Sequence, residues 1–553
     1  MSNALEQASL IMVPSGYEDG TLGSLKPTDG TGDFTFTRCN GAAQCDLAAT
    51  RVNADGYIEK GYENLLSHSN SFTTTWAQVG SFNVVGNQQG YDSSNDAWSI
   101  ESNTTAFDRR IQQSVSVSGV YTFAIYAKSN STDWLLLYNG TDRVYFDLAN
   151  GVVGSSESGL IIDSKIESTS VTGWYRCTAT FNRAISFISV VPASGDGNSN
   201  VVTGNSIYIQ DAMLNQGMVA YPYLETTTAP VAGGILEDMP RLDYSNGSCP
   251  SLLLEPSRTN LVTQSEYFAG WIVQSSTTLT TNTTETLSPE GLYNATKAVG
   301  NGTDGVLLSE LSTAGGDNVK SIYLKGVSGG ESVVLKDPNQ TNQTKTCALT
   351  TEWQRFDLLD NQPSSFGFWV DDIPASGIYM WGAQLEQATY PTSYIPTYGV
   401  SQTRLSEFSA FELSVFDFFS LGNTESGTFF LETKFTKPSS QNVVDVFSQG
   451  GSGTNAWLGT GFQIRDTGGS RNFVVQNIDT LVDDYIKIAI RRDNTTFNVF
   501  VNGVKSATTA TITNPLKWFD HIALYRNNQN VKQMMEFPTA LSDDECIALT
   551  TIS

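Results

Sequence analysis

The chain has little of what most enzymes and nucleic-acid-binding proteins depend on. Its 553 residues include two histidines and six cysteines, which leaves little material for imidazole catalysis or thiolate metal sites. Lys and Arg number 31 against 56 Asp and Glu, and the net charge of −25 argues against a surface that neutralises nucleic-acid phosphates. We therefore expect no nucleic-acid partner, and we expect that the protein is not an enzyme.

Two further absences concern membranes and export. No run approaches the roughly 18 apolar residues that span a bilayer, so no membrane insertion is expected. The opening residues MSNALEQASLIMVPSGYEDG have no basic region before their short apolar run, so no signal peptide is expected. Cys39 and Cys45 are close in sequence, but their spacing fits no common zinc motif and leaves open whether they pair.

The chain has few charged residues and is rich in uncharged polar residues, glycine and aromatics. Charged residues make up 16% of the chain, whereas about 25% is usual for a soluble protein. There are 48 glycines, and 39% hydrophobic and 11% aromatic residues supply enough apolar surface for a folded protein. The length is too great for one hydrophobic core, so we expect roughly three or four domains.

One stretch of the chain occurs twice. Four pairs of segments match in the same order. They are ENLLSHSNSFTTTW (63–76) with TNLVTQSEYFAGW (259–271), Ile125–Lys128 with Ile322–Lys325, Thr172–Arg176 with Thr351–Arg355, and IYIQDAMLNQG (207–217) with IYMWGAQLEQA (378–388). We infer a single module that is used twice, over residues 63–229 and 258–404.

The pattern inside each module is typical of strands. Segments such as VYTFAIYAKS (120–129) and WYRCTATF (174–181) alternate or run apolar over strand lengths, between turn clusters of Gly, Asn, Ser and Asp. Residues 405–553 continue this pattern, with a hairpin signal at Asn502-Gly503 and a terminal helix capped by Ser542 and Glu545. We predict an all-β, multidomain chain of two homologous jelly-roll-type sandwiches and a third, C-terminal sandwich.

Three segments outside the modules carry a family resemblance. They are LIMVPSGYEDGTLGSLKPTDGTGDFTFTR (10–38), ATRVNADGYIE (49–59) and MPRLDYSNGSCPSLLLEPSRTNL (239–261). They resemble a segment recurrent in tailed-bacteriophage virion proteins, in which the three pieces run nearly on from one another. Here the first module separates the second piece from the third. The modules are similar to the carbohydrate-binding-module-like jelly rolls of phage head and tail fibres.

The end of the chain completes the resemblance and the predicted domain order. Residues 405–553 resemble the lectin-like concanavalin or LamG sandwiches that follow such modules. The predicted order is an extended N-terminal segment for virion attachment (1–62), the first module (63–229), a linker segment (230–257), the second module (258–404) and the lectin-like sandwich (405–553).

The resemblance implies a structural component of a bacteriophage particle. It implies a head or tail fibre or decoration protein that binds host-surface glycans and forms a dimer or trimer. It implies attachment to capsid or tail proteins through residues 1–62, and display on the virion surface after assembly in the host cytoplasm. Two alternatives stay open: a purely structural adaptor or collar component without glycan binding, and a tail-spike depolymerase.

Aromatic residues are the first candidates for glycan binding, because their faces stack on the C–H patches of sugars. Aromatics present in both modules, such as Trp76 and Trp271, are better explained by a shared packing role. Aromatics found in one copy only, or in the third block, are therefore the predicted carbohydrate-binding residues. These are Trp134, Tyr138, Phe368, Trp369 and Trp457.

Metal and catalytic motifs are weak. The acidic pairs Asp371-Asp372, Asp483-Asp484 and Asp543-Asp544 are adjacent in sequence, and neighbouring side chains on a strand point to opposite faces. We predict no cofactor and leave structural calcium open. Residues 326–330 match G-x-S-x-G, but they follow a strand as a turn and have no histidine nearby in sequence.

Overall fold

The structure is a computed structural model that describes residues 2–18, 20–38, 46–157, 159–236, 238–311, 316–337, 340–360, 366–412, 426–435, 444–448, 455–458, 462–465, 471–474, 484–494, 496–511, 521–524 and 529–552. Its helices are short: α1 spans Ser2–Gln7, α2 spans Asp543–Thr550, and two 3₁₀ turns span Asp46–Ala48 and Phe268–Gly270. None of the described helices is long and apolar enough to cross a membrane. The other regular structure is β and lies in several sheets, which confirms the predicted all-β, multidomain fold.

Short strands make up most of the regular structure in the N-terminal segment. They are β1 Leu10–Met12, β2 Tyr17–Glu18, β3 Thr21–Leu22, β4 Phe34–Thr37, β5 Thr50–Val52, β6 Ile58–Lys60 and β7 Tyr62–Asn64. β5 and β6 pair with each other as a two-stranded antiparallel sheet. Cys39 and Cys45, whose pairing the sequence leaves open, lie outside the described residues.

The first module is a sandwich of two six-stranded antiparallel sheets, ordered β16-β17-β12-β19-β10-β9 and β15-β14-β13-β18-β11-β8. Its strands are β8 Ala77–Val79, β9 Phe82–Gln88, β10 Ala97–Ser102, β11 Arg110–Val117, β12 Val120–Ser129, β13 Trp134–Tyr138, β14 Arg143–Asp147, β15 Val152–Glu157, β16 Ile161–Ser168, β17 Trp174–Asn182, β18 Ile185–Ala193 and β19 Ser206–Gln216. Ile125 of one sheet and Leu137 of the other belong to the same buried core. The alternation along these strands therefore places one face of each sheet inside the sandwich.

Four short strands lie between the cores of the two modules: β20 Val231–Gly233, β21 Leu242–Asp243, β22 Ser251–Leu254 and β23 Arg258–Asn260. The second module then forms two five-stranded antiparallel sheets, ordered β31-β28-β33-β26-β25 and β30-β29-β32-β27-β24. Its strands are β24 Ile272–Val273, β25 Thr278–Thr280, β26 Thr296–Val299, β27 Val306–Leu311, β28 Asn318–Gly326, β29 Ser332–Asp337, β30 Gln340–Ala348, β31 Gln354–Asp360, β32 Phe366–Asp371 and β33 Ile378–Glu386.

Except for the first, which forms a two-stranded sheet, the last strands of the chain belong to two larger sheets. They are β34 Gln402–Arg404, which pairs with β23, and then β35 Phe408–Glu412, β36 Ser426–Phe435, β37 Val444–Ser448, β38 Asn455–Leu458, β39 Phe462–Arg465, β40 Arg471–Val474, β41 Tyr485–Asp493, β42 Thr496–Val501, β43 Val504–Lys505, β44 Ala510–Thr511, β45 His521–Leu524 and β46 Gln529–Phe537. The predicted hairpin is confirmed: Asn502 and Gly503, both with positive φ, join β42 to β43. The predicted capping box of Ser542 and Glu545 opens α2.

Strands from early in the chain complete these two C-terminal sheets. β1 and β22 both pair with β46 in one sheet, which also contains β21. β4 pairs with β35 in the other sheet and brings β2 and β3 with it. The N-terminal segment and the linker thus contribute main-chain hydrogen bonds to the two C-terminal sheets.

A buried arginine–glutamate network ties the linker to the residues that follow the second module. Arg241 donates to Glu255 at 2.7 Å and also to Glu407, and Arg404 lies 3.0 Å from Glu255. Burial raises the pKa of the Glu255 carboxyl, but the guanidiniums of Arg404 and Arg241 outweigh this and lower the pKa to about 2. The network therefore holds ionised groups together in a water-poor environment.

The repeated residues make the same contacts in both modules. The buried amide of Asn64 donates to the carbonyls of Ala212 and Leu224 at 3.1 and 2.8 Å, and Asn260 donates to the equivalent carbonyls at the same two distances. Trp76 is 4% exposed and belongs to the core of its module, as does Trp271 in the second module. The predicted packing role of these shared residues is confirmed.

Candidate functional site: a cleft between the two modules

Two regions distinguish the modules from each other. The first module has the strands β15 and β16, which extend one edge of each sheet, and the described part of the second module has no counterpart between β30 and β31. The second module has a longer connection between β25 and β26, residues 281–295, where the first module has residues 89–96 between β9 and β10. The candidate site is formed where these two copy-specific regions meet.

Between them lies a cavity of about 300 Å³, here called the module cleft. One wall is the outer face of β16 and β17, and the facing wall is the 281–295 connection, with residues 218–220 between them. A cavity of this size is at the lower end of the range for small-ligand sites, so it fits one or two sugar rings.

The wall from the first module is a polar ladder. Asp163, Lys165 and Glu167 alternate along β16 and therefore share one face. They lie opposite Thr180, Thr178 and Arg176 of β17 in that order, and the intervening residue Ile166 packs against the core. Carboxylate, ammonium, guanidinium and hydroxyl groups are thus lined up along one side of the cleft.

The facing wall is largely apolar and partly open to solvent. It includes Leu287, Gly291, Leu292 and Tyr293. The aromatic residue Tyr293 is 46% exposed, and Leu287 is 37% exposed. An exposed aromatic beside a row of hydrogen-bonding groups is the combination that binds a sugar, because the ring covers C–H groups while the polar side meets hydroxyls.

Hydrogen bonds hold the 281–295 connection in place. Asn282, at a positive φ of 51°, donates to Asp163 at 2.9 Å and to the carbonyl of Met218 at 2.8 Å. At the other end, Lys165 approaches the carbonyl of Tyr293 at 3.4 Å. Trp353 of the second module donates its indole N–H to the carbonyl of Leu287 at 2.8 Å. The cleft is thus preorganised on both sides.

Arg176, opposite Glu167 in the ladder, is held in place by contacts with two tyrosines. It donates to the carbonyl of Tyr221, and its guanidinium lies 5.8 Å from the centre of the Tyr126 ring. Its Nε is buried and has no hydrogen-bond partner among the residues that the structure describes.

Two of the predicted glycan-binding residues, Trp134 and Tyr138, lie on the other sheet of the first module. They share the outer face of β13 and are half-buried. Tyr138 is flanked by the guanidiniums of Arg110 and Arg143, at 5.6 and 4.6 Å from its ring centre. Neither residue lines the module cleft. Their predicted role in glycan binding stays a prediction.

The other three predicted glycan-binding residues lie in different environments. Phe368 is fully buried in the core of the second module, 5.6 Å from the Trp271 ring, so this prediction is corrected: its ring has no open face for a sugar. Trp369 points to the opposite face of β32, half-buried beneath the Lys336 ammonium at 3.7 Å from its ring centre. Trp457 lies in β38, and its side chain is outside the described residues.

The residues of the module cleft were missed by sequence reasoning, although one signal points to them. Tyr293 has no counterpart in the first module, and the residues of β16 have none in the second. Differences between copies were the criterion applied to Trp134 and Phe368. The same difference between copies, extended from single aromatics to inserted segments, selects β16 and the 281–295 connection, but not Arg176, which the repeat matches with Arg355.

Metal binding finds no support in the described part of the chain, where no group of three or more His, Cys, Asp or Glu residues is placed to hold an ion. Of the acidic pairs, Asp371 accepts from Lys336, and Asp543 pairs with Arg491 at 2.6 Å in the first turn of α2. Asp483 lies outside the described residues.

Comparison with known proteins gives no family. No family model matches the chain, and no curated protein sequence matches it. Among solved structures, the CBM22 tandem domain from Paenibacillus barcinonensis is 11% identical, with 59% of this chain and 98% of that chain covered and a TM-score of 0.21. The tandem CBM51 modules of a family 98 glycoside hydrolase from Streptococcus pneumoniae are 10% identical, with 59% and 100% covered and a TM-score of 0.18.

A third similar structure is the binding domain of botulinum neurotoxin DC. It is 12% identical, with 26% of this chain covered and a TM-score of 0.22, and the match spans 39% of that chain. TM-scores near 0.2 carry no argument about fold or function. The fold assignment therefore rests on the strands and their pairing.

Proposed function

We propose that the chain is a non-enzymatic, glycan-binding component of a bacteriophage particle, a head or tail fibre or decoration protein that binds host-surface polysaccharide. The observation that carries glycan binding is the module cleft, in which the polar ladder of β16 and β17 faces the exposed Tyr293. The particle assignment is supported by the resemblance of residues 10–38, 49–59 and 239–261 to virion segments.

The charge of the chain agrees with display in many copies. A net charge of −25 provides like-charge repulsion that keeps closely spaced proteins soluble. Residues 1–62 remain the proposed attachment segment for capsid or tail proteins. Because β1 to β4 lie in the C-terminal sheets, this attachment uses the exposed surface of the segment, and self-association as a dimer or trimer is part of the same proposal.

A glycan array probed with the full chain tests the proposal, followed by titration of the best ligand. Tyr293→Ala and Lys165→Ala are expected to weaken binding about tenfold or more, equivalent to roughly 1.4 kcal/mol each. Phe107→Ala is the matched control, because Phe107 is 61% exposed on a different loop of the first module. Its binding is expected to equal that of the unmodified chain.

Two outcomes separate the alternatives. If the chain binds no glycan but binds purified capsid or tail proteins, the purely structural adaptor replaces the proposal. If incubation with capsule or lipopolysaccharide releases new reducing ends, the hypothesis of a tail-spike depolymerase replaces the proposal. Binding that persists in both Tyr293→Ala and Lys165→Ala removes the cleft as the site.

A further inference from the structure

A second cavity lies on the outer face of the second module. Its volume is about 280 Å³, and it includes Tyr323 and Arg355, which match Tyr126 and Arg176 of the first module in the repeat. Its walls come from the N-terminal segment, the linker, the second module and the C-terminal sandwich, so it is called the four-part cavity. It is separate from the module cleft and shares no lining residue with it.

The two carboxylates that line this cavity are already satisfied. Asp243 accepts from the backbone N–H of Val52 at 3.0 Å and, through its other oxygen, from Ser245. Glu255 accepts from the backbone N–H of Ser393 at 2.7 Å through one oxygen and from the arginine–glutamate network through the other. These acceptors hold the walls together and leave little capacity for a ligand.

One cationic donor of the cavity, Lys434, has capacity left for a ligand, whereas Arg51 is paired with Glu59 at 2.8 Å. Lys434 takes part in no ion pair among the described residues, and its ammonium makes a long contact of 3.4 Å with Asn246. Arg355 uses its terminal nitrogens on the carbonyl of Thr392 at 2.7 Å and on Ser321 at 2.9 Å. Its Nε is buried and has no partner in the part of the chain that the structure describes. The ammonium of Lys434 is therefore the donor that a ligand in the cavity can use, and the guanidinium of Arg355 adds positive charge to the wall.

We infer that the four-part cavity binds a small, hydroxylated organic acid, a sugar acid of monosaccharide size. Lys434 supplies a cationic donor to its carboxylate, since charge-assisted hydrogen bonds are the strongest available to such a group, and the nearby guanidinium of Arg355 favours the negative charge. The half-buried Tyr323, which also lines the cavity, complements the C–H and hydroxyl groups of a sugar ring. The volume of about 280 Å³ limits the ligand to this size.

Calorimetric titration of the full chain at pH 7 with sodium glucuronate and with glucose tests this inference. Glucuronate is expected to bind at least tenfold more tightly than glucose, because only the acid offers a carboxylate. Lys434→Gln is expected to weaken glucuronate binding about tenfold. Lys345→Gln is the control, because Lys345 is a partly exposed lysine of β30 that does not line the cavity, and it is expected to bind as the unmodified chain does.

A second readout uses the place of the cavity in the fold. Because its walls include the C-terminal sandwich, glucuronate is expected to slow proteolysis of that sandwich and to raise its unfolding temperature. The inference is overturned if glucuronate binds no better than glucose, or if Lys434→Gln and Lys345→Gln behave alike. Glucuronate binding that is lost in Tyr293→Ala but kept in Lys434→Gln places the acid in the module cleft and also overturns it.

Discussion

The two modules share one set of paired strands, but they differ in the strands at the sheet edges, in one connection and in some core residues. β12, β17 and β19 of the first module pair as β28, β31 and β33 do in the second, and a β-bulge interrupts the same strand pair in both. The modules differ in inserted edge strands, in one long connection and in a few core positions. The hydrogen-bonded framework is thus the same in both modules, and the candidate site lies where the modules differ.

A core position gives the largest expected difference between the modules. Phe123 is buried in the first core, and the matching residue of the second is Lys320, which is fully buried between Asp337 and Asp360 at 2.7 and 3.1 Å. Lys320→Met is expected to destabilise the protein by about 3 to 5 kcal/mol, because two buried carboxylates lose their cation. Urea unfolding measures this loss.

The control for this prediction replaces the buried lysine together with both of its aspartate partners. Lys320→Phe combined with Asp337→Leu and Asp360→Leu makes the second core more like the first. This triple variant is expected to unfold at a urea concentration close to that of the unmodified protein or above it. A loss as large as that of Lys320→Met contradicts the electrostatic explanation.

The bulge provides a second comparison, and it predicts a pH dependence. Asp211 of the first module occupies the place of Gly382, and both have positive φ, 54° and 66°. Burial raises the pKa of the Asp211 carboxyl to about 7, with repulsion from Asp96 adding to this and a hydrogen bond from Tyr91 opposing it. The folded state therefore favours the protonated acid.

The sign of the effect follows from this raised pKa. The contribution of Asp211 to the free energy of unfolding is fully present below about pH 4. It declines by a few kcal/mol as the pH rises to about 7. Asp211→Asn is expected to be the more stable protein at pH 8 and similar to the unmodified chain at pH 4. Unfolding midpoints across this range measure the difference, and parallel curves for the two proteins contradict it.

Gly382 gives the smallest of the three effects. A Cβ at this position would lie 3.2 Å from the Tyr323 ring and 3.3 Å from the Tyr394 ring, and its φ of 66° disfavours any residue with a side chain. Gly382→Ala is expected to cost about 1 to 2 kcal/mol of stability. Thermal unfolding measures it, with Gly56→Ala as the control, because Gly56 also has positive φ but meets no atom within 4 Å. Equal losses assign the cost to the backbone alone.

Sequence reasoning performed well wherever the signal was local. The alternation of the strands, the Asn502-Gly503 turn and the cap at Ser542 depend on a few neighbouring residues, and all three are present in the structure. It was wrong for Phe368, because exposure depends on which face of β32 meets the opposite sheet. Strand alternation assigns Phe368 and Trp369 to opposite faces but does not say which face is inside.

An acidic chain that is rich in strands and uses one module twice can be recognised from the amino-acid sequence. These properties follow from composition, period and repetition, which are read along the chain. The pairing of β1 and β22 with β46, and the contact of β16 in one module with the side of the cleft that carries Tyr293 in the other, are seen only in the folded chain. Such contacts join residues that are distant in sequence, and their energy depends on the complementarity of whole surfaces rather than on local preference.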